Sequence, residues 1–229
     1  LTVASACTIS FAGTRLLPSI VGMSFWQMKP RNEPAIARRA AMELRKGHVA
    51  NLGFGISAMV PRVLLEEGHA QSVTWAIEQG AVGGMPLMGF AFGCASNADA
   101  FMPSPNQFTY FQGGGFDMAF LSFMEVDVEG NVNVSKLGKK PYLTAGCGGF
   151  VDITAHAKKI VFSGWFEAGA EMALTDNALT VAKPGKFTKV GDAVEHVTFS
   201  GKRARETGQD VLYVTERCVI RLTDTGLVA

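Results

Sequence analysis

The first part of the chain alternates between a segment with helical periodicity and short, unbroken apolar runs. Residues 29–48 place Ile36, Ala40 and Leu44 on one stripe, with charged side chains on the other faces. This pattern predicts an amphipathic helix that Gly47 can end, because glycine readily adopts the backbone conformation that follows a helix. We expect the apolar stripe to pack against a core.

Glycine turns link the next predicted strands and helices. Residues 48–57 form a short apolar run that leads into Gly53 and Gly55, and residues 58–69 have helical character. A second buried strand is predicted in residues 72–80, which are rich in β-branched and aromatic side chains. Strand, glycine turn and helix in this order are typical of βαβ units. The predicted fold class is therefore α/β, with an open, mostly parallel sheet flanked by helices.

The second half of the chain shows the two-residue period of half-buried strands. Residues 118–138 alternate apolar and polar positions around the turn at residues 129–131, which predicts a β-hairpin extension. Further strands are predicted in residues 158–166, 196–200 and 210–223, and helices in residues 149–159 and 201–208.

Composition narrows the range of partners. Of the 229 residues, 48% are hydrophobic and 18% are charged, so the chain can form a sizeable core beneath a lightly charged surface. The formal net charge of +1 provides no broad basic field, which argues against nucleic-acid binding. We therefore expect protein or small-molecule partners.

Residues 1–28 differ in character from the rest of the chain. They are apolar enough to raise the question of a signal or membrane segment, but they lack a basic start, and Arg15 and Pro18 interrupt the apolar run. We expect residues 1–28 to be a linker or tail, residues 29–229 to form one domain, and the protein not to associate with a membrane.

Cysteine and histidine residues provide no evidence for a metal site. The four cysteines and four histidines are widely spaced and lack the ligand spacing of zinc sites. Cysteines in this pattern favour a reducing compartment, so a cytoplasmic location without a bound metal is expected. Cys147 has no base beside it in the sequence, and we expect it to be a small packing residue.

Much of the glycine lies in four clusters, which begin at Gly53, Gly80, Gly113 and Gly146. Such clusters let the backbone approach a ligand and expose N–H donors, although each can equally be a tight turn. Neither the G-x-G-x-x-G spacing of dinucleotide-binding folds nor the spacing of a P-loop is present.

A single carboxylate stands out among these clusters. Glu78 is the sole formally charged residue between Glu67 and Asp99, and it comes at the end of a predicted buried strand. Ligands gather beyond the carboxyl ends of parallel strands. Apolar surroundings raise the pKa of a carboxyl group, whereas backbone N–H donors keep the group ionised. A carboxylate in this setting can attack an acyl carbon, and glycine amides can stabilise the resulting oxyanion. An ion pair with an arginine and a helix cap are alternative roles for Glu78.

Six motifs, in this order, resemble the family I coenzyme A transferases, specifically the second half of the propionate/acetate short-chain acyl group. They are IARRAAMEL, NLGFGIS, IEQGAVGGMP, and residues 111–138, 144–164 and 211–227. The resemblance covers residues 35–227. It implies the NagB/RpiA/CoA-transferase-like fold that these enzymes share with sugar-phosphate isomerases.

The resemblance also implies roles for particular residues. In this family a glutamate at the position of Glu78 is acylated and then carries CoA as a thioester. Ping-pong transfer of CoA between a short-chain acyl-CoA and a carboxylic acid is therefore expected. CoA is a substrate here, and no metal or other cofactor is expected. The residues implied in oxyanion stabilisation are Gly148 and Gly149. Those implied in substrate binding are Gly53, Gly55, Gly80, Gly113 and Gly114.

Family members usually combine this half with a homologous first half, on one chain or as a separate subunit. Residues 1–28 do not resemble that half. The resemblance therefore implies an alpha-type companion half or a homo-oligomer. A non-catalytic subunit that binds acyl-CoA and a sugar-phosphate isomerase are the alternatives, because a shared fold does not determine a function.

Overall fold

The computed structural model describes residues 33–138, 145–175 and 178–229. The predicted tail at residues 1–28 lies outside these ranges. The helices are α1 (Glu33–Ala41), α2 (Val60–Glu66), α3 (Ser104–Gln112), α4 (Phe150–His156) and α5 (Gly201–Thr207). The strands are β1 (Val49–Leu52), β2 (Thr74–Ala76), β3 (Ala81–Val82), β4 (Met85–Pro86), β5 (Ala95–Ser96), β6 (Ala100–Phe101), β7 (Met118–Ser122), β8 (Glu125–Asp127), β9 (Val132–Asn133), β10 (Lys159–Ser163), β11 (Glu167–Ala168), β12 (Glu171–Thr175), β13 (Ala178–Lys183), β14 (Phe187–Thr188), β15 (Val190–Gly191), β16 (Asp210–Val214), β17 (Val219–Thr223) and β18 (Gly226–Val228).

A nine-stranded sheet forms the centre of the molecule, in the order β18-β17-β16-β10-β7-β1-β2-β3-β6. Its five middle strands, from β16 to β2, are parallel to one another. Antiparallel strands extend it at both edges. The predicted α/β class with a mostly parallel sheet is confirmed.

Hydrophobic clusters cover both faces of this sheet. On one face α1 and α2 pack over a cluster that contains Trp75 and Phe120. On the other face Phe111 of α3 and Ile153 of α4 pack over Phe162. Because both faces are covered, the central strands β7 and β10 are buried almost throughout and their middle residues are apolar, as is usual for parallel strands.

Helix α1 is shorter than predicted, since it ends at Ala41 rather than near Gly47. Beyond it the chain forms tighter turns, such as the hydrogen bond from Glu43 N–H to Ala40 O (3.1 Å). Gly47 N–H donates to Ser72 O (2.8 Å), which anchors this connection to the chain before β2. A tertiary contact therefore replaces the last turn of the predicted helix.

The hairpin predicted around residues 129–131 is confirmed, because β8 and β9 pair antiparallel. Asp127 holds the turn by accepting hydrogen bonds from the N–H groups of Glu129 (3.0 Å) and Asn131 (2.9 Å). The strand predicted in residues 196–200 is wrong. In that segment Phe199 forms a single bridge with Val132, which is too little pairing for a strand.

Candidate active site

Glu78 lies just beyond the carboxyl end of β2, in a tight turn that leads into β3. Gly80 N–H donates to Ile77 O (2.8 Å), and Ile77 N–H donates to Ala81 O (2.9 Å). Gly80 has a φ of 115°, and a Cβ at this position would overlap the carbonyl oxygen of Met102. Only glycine fits such a backbone and such a close approach, so Gly80 is required for the turn that presents Glu78.

Helix α3 holds the backbone of this turn. Ser104, the first residue of α3, donates a hydrogen bond from Oγ to the main-chain oxygen of Glu78 (2.9 Å). Met102 N–H donates to the main-chain oxygen of Gly80 (3.0 Å). These bonds fix Glu78 at the carboxyl edge of the parallel sheet, where ligands bind in folds of this class.

The carboxylate of Glu78 is half-buried and is bound by neutral donors. It accepts a hydrogen bond from the backbone N–H of Gly149 and another from Nε2 of Gln79 (3.3 Å). Burial raises the pKa of Glu78, and the Gly149 N–H partly opposes this rise. No lysine or arginine forms an ion pair with Glu78 in the part of the chain that the structure describes.

The loop that precedes α4 approaches this carboxylate with its backbone. A Cβ added to Gly149 would overlap both Oε2 of Glu78 and the ring of Phe108. Gly148 has a φ of 51°, and a Cβ there would lie 3.8 Å from Oε1 of Glu78. The carboxylate, the loop and the aromatic ring therefore converge on one point, which a side chain at Gly149 would occupy.

These groups line an open pocket with a volume of roughly 300 Å³. The residues that line it are Glu78, Gln79, Ser104, Phe108, Gly148, Gly149 and Asp152. The structure thus brings together Glu78, Gly148 and Gly149, which are distant in sequence.

The other predicted substrate-binding glycines lie outside the lining of this pocket. Gly53 and Gly55 pack closely against β7, since a Cβ on them would come within 2.8 Å of Leu121 and 2.7 Å of Ser122. Gly80 shapes the Glu78 turn. The remaining two, Gly113 and Gly114, follow the carboxyl end of α3. Their role in substrate binding stays a prediction.

Sequence reasoning missed four residues of the pocket: Ser104, Phe108, Asp152 and Gln79, which follows Glu78 in the sequence. The first two belong to α3, which the hydrophobic pattern did not reveal because the helix is short and its apolar residues do not form a clear stripe. A Ser-Pro start, here Ser104-Pro105, is the signal that could have located it. Asp152 lies in the predicted helix, but its proximity to Glu78 arises from tertiary packing.

The expectation that Cys147 is a small packing residue is wrong, because its side chain is exposed. The loop turns the backbone of Gly148 and Gly149 toward Glu78, and the Cys147 thiol is exposed and free. Within the described ranges, no group of three or more His, Cys, Asp or Glu side chains is arranged to hold a metal ion. None of the helices in those ranges is both long and apolar enough to span a membrane.

The raised pKa of Glu78 predicts a pH-dependent cost to stability. A carboxyl group whose pKa is higher in the folded chain binds a proton more readily there, so stability falls as pH rises from the ordinary value of 4.5 through the raised one. At neutral pH, Glu78→Gln should therefore increase Tm by up to a few degrees. The difference should vanish below pH 4.5, the ordinary value, where Glu78 is protonated in both states.

Thermal unfolding of both proteins across this pH range checks the prediction. Glu206→Gln, a substitution of the same kind at an exposed position in α5, is the control. Equal Tm values for the parent and Glu78→Gln at pH 7 would contradict it.

Comparison with known proteins gives relatives of one enzymatic class. The chain is 45% identical over 190 residues to a caffeate CoA-transferase of Acetobacterium woodii, covering 82% of this chain and 36% of the relative. It is 43% identical over 193 residues to the acetate CoA-transferase YdiF of Escherichia coli K12, covering 84% and 36%. The beta subunit of another acetate CoA-transferase of the same strain is 32% identical over 139 residues, covering 56% and 61%.

Solved structures agree with these relatives. A thioester complex with CoA of the acyl-CoA transferase YdiF from E. coli O157:H7 matches with a TM-score of 0.77 and 38% identity, covering 89% of this chain and 38% of that one. A variant of the decarboxylase AibA/AibB matches with a TM-score of 0.63 and 17% identity, covering 87% and 77%. At that identity the second likeness concerns the fold alone.

The fold and the aligned sequences together define a protein of the coenzyme A transferase class. The chain belongs to the family I coenzyme A transferases and corresponds to their second half, as the resemblance predicted. It spans about a third (36%) of the length of the two most similar curated relatives named above. No protein-family model matches the chain.

Proposed function

We propose that this chain is the glutamate-bearing half of an enzyme that transfers CoA between a short-chain acyl-CoA and a carboxylic acid. One observation carries the proposal: the Glu78 carboxylate meets the backbone of Gly149 in a pocket at the carboxyl edge of the sheet. The carboxylate is half-buried, has a raised pKa and contacts donors that are neutral. These properties suit a nucleophile that must shed water before it attacks.

In the first step, an oxygen of Glu78 attacks the carbonyl carbon of the acyl-CoA. The carbon–sulfur bond breaks, the CoA thiolate leaves, and a mixed anhydride joins the acyl group to Glu78. The negative charge that develops on the acyl oxygen needs a donor in the pocket. Gly148, in the same loop as Gly149, is our candidate for this donor.

In the second step, the thiolate attacks Cδ of Glu78. The bond between Cδ and the oxygen shared with the acyl group breaks, the acid leaves as a carboxylate, and Glu78 holds CoA as a thioester. The oxyanion in this step forms on the side chain of Glu78 itself. Because Gly149 N–H already donates to this side chain, it is well placed to stabilise that charge without reorganisation.

An acceptor carboxylate then runs the same steps in reverse. It attacks Cδ of the thioester and expels the thiolate, which attacks the acceptor carbonyl of the new anhydride. A new acyl-CoA forms and the Glu78 carboxylate is restored. The cycle is ping-pong and redox-neutral, and we propose no metal or cofactor beyond CoA as a substrate.

Two further features bear on the substrate and the location. Curated relatives are named for acetate and caffeate, and the ring of Phe108 forms an apolar wall beside Glu78. We infer a small, uncharged acyl group. The cytoplasm is the proposed location, from the pattern of cysteines described above.

A companion half is part of the proposal. The chain spans about a third (36%) of the length of two relatives, and another relative is named as the beta subunit of its enzyme.

An exposed aromatic surface supports the presence of a companion half. Phe90 is fully exposed, and Phe54, which is 67% exposed, lies edge-on to Phe92 with ring centroids 5.5 Å apart. A Cβ on Gly93 would contact Gln79, so this segment lies beside the pocket. Apolar patches of this kind mark interaction surfaces, and we assign this one to the companion half.

Chemical trapping tests the proposal. After incubation with acetyl-CoA, borohydride should reduce the glutamyl-CoA thioester to an alcohol, and peptide mass spectrometry should find the modification at Glu78. Samples without acetyl-CoA, and the Glu78→Gln variant, should remain unmodified.

The possible results separate the alternatives. A modification at a different residue would contradict the assignment of Glu78. Transfer of CoA without any trapped adduct would contradict the covalent mechanism. If neither transfer nor an adduct appears with a companion half present, the chain is an acyl-CoA-binding subunit or an isomerase.

A further inference from the structure

A second carboxylate lines the pocket and has no part in the transfer steps described above. Asp152 lies in the first turn of α4. Nε2 of Gln112 donates to both of its carboxylate oxygens, at 3.2 Å and 3.1 Å. Nδ1 of His156 lies 3.5 Å from Oδ1 of Asp152 and 2.8 Å from its main-chain oxygen. The carboxylate is therefore held in a defined position at the pocket wall.

This carboxylate determines the charge of the pocket during the reaction. Of the described lining residues, Glu78 and Asp152 are the two that carry a charge, and both are acidic. Glu78 becomes neutral when it is acylated, whereas Asp152 is not consumed in any step. Among those lining residues there is no lysine or arginine to offset it.

We propose that Asp152 is a specificity-determining residue that selects uncharged acyl groups over acyl groups with a second carboxylate. This inference rests on the transferase function proposed above. The reacting carboxylate of any acceptor becomes neutral when it forms the anhydride. A second carboxylate, as in a succinyl group, stays charged through every intermediate and is repelled by Asp152 throughout. In a partly buried pocket such repulsion is stronger than in bulk water.

An aromatic ring in the lining of the pocket favours the same substrates. The ring of Phe108 is held by an edge-on contact with Phe111, at a centroid distance of 6.0 Å, and Phe111 is fully buried in the core. An apolar acyl chain gains contact with this rigid ring, whereas a charged chain end would lose its hydration there.

A matched pair of donors tests the proposal on the transferase formed by this chain with its companion half. Succinyl-CoA and butyryl-CoA both have four-carbon acyl groups and share the same CoA, but they differ in the terminal carboxylate. The ratio of kcat/KM for succinyl-CoA to kcat/KM for butyryl-CoA should rise on the order of tenfold in Asp152→Asn. This rise should be smaller at high salt, which screens the repulsion. Asp152→Ser provides a second variant without the charge.

The control is Asp224→Asn, an exposed position in the turn between β17 and β18, at the far edge of the sheet from β2. Its ratio should equal that of the parent enzyme. An unchanged ratio in both Asp152 variants, with butyryl transfer still measurable, would overturn the role of Asp152 alone. Absence of transfer from every uncharged donor in the parent enzyme would overturn the proposed function, and this inference with it.

Discussion

Replacing Glu78 by alanine is expected to lower CoA transfer by several orders of magnitude while the fold is retained. The proposed reaction passes through two covalent bonds to this side chain, and its carboxylate accepts the hydrogen bond of the Gly149 N–H. Each tenfold loss of kcat/KM corresponds to about 1.4 kcal/mol of lost transition-state stabilisation. Folding should survive because the side chain is half-buried at the edge of a pocket and belongs to neither core cluster.

Steady-state kinetics with acetyl-CoA and far-UV circular dichroism measure the two parts of this prediction. Glu78→Gln should be nearly as inactive as Glu78→Ala, because an amide retains the shape but not the nucleophile. Glu206→Gln controls for the loss of one acidic side chain. Transfer by Glu78→Ala within tenfold of the parent enzyme would mean that another group is the nucleophile.

Replacing Gly149 by alanine is expected to reduce kcat by about a hundredfold or more, since misplacing a reacting group by about 1 Å can have an effect of this size. The new methyl group would overlap Oε2 of Glu78 and the ring of Phe108. The ring is anchored through Phe111, so the Glu78 side chain is the group that must move. Moving it also breaks its hydrogen bond to the Gly149 N–H.

Two comparisons separate this effect from a general loss of stability. Gly191→Ala introduces the same methyl group at an exposed position where no atom lies within 4 Å, and it should be harmless. Adding Phe108→Ala to Gly149→Ala removes the overlap with the ring but not the overlap with the carboxylate, so little activity should return. Full recovery in the double variant would show that the ring, and not the carboxylate, is the group that matters.

Local sequence patterns predicted much of the secondary structure that supports this site. The apolar runs that form β1 and β2, and the glycine turns after them, predicted strands of a mostly parallel sheet with Glu78 at its carboxyl edge, and the structure pairs the two strands in parallel. The hairpin at residues 129–131 was also predicted correctly, because alternation and turn residues are local signals. The prediction of a strand in residues 196–200 was wrong. Apolar and polar residues alternate there as well, but the segment pairs with Val132 at Phe199 alone.

Helix α3 marks the limit of such reasoning. Its residues Ser104 and Phe108 meet Glu78 only after β6 and α3 fold back beside the Glu78 turn, and no local pattern encodes that return. Glycine positions pose a related problem. Local sequence patterns do not distinguish Gly80 from Gly149, since both are members of glycine clusters. In the structure Gly80 shapes a turn, whereas Gly149 lies against the Glu78 carboxylate. The reason that a position requires glycine depends on which neighbouring atoms occupy the space that a side chain would need.

By itself, therefore, the sequence determined the α/β class with a mostly parallel sheet and the isolated acid at a strand end. These follow from the periodicity of burial, the conformational range of glycine and the absence of neighbouring charges. Only the tertiary structure decided which donors contact that acid, which aromatic ring stands beside it and that Asp152 shares its pocket. Those relations join residues tens of positions apart, and they depend on how helices pack across the sheet, which no local pattern records.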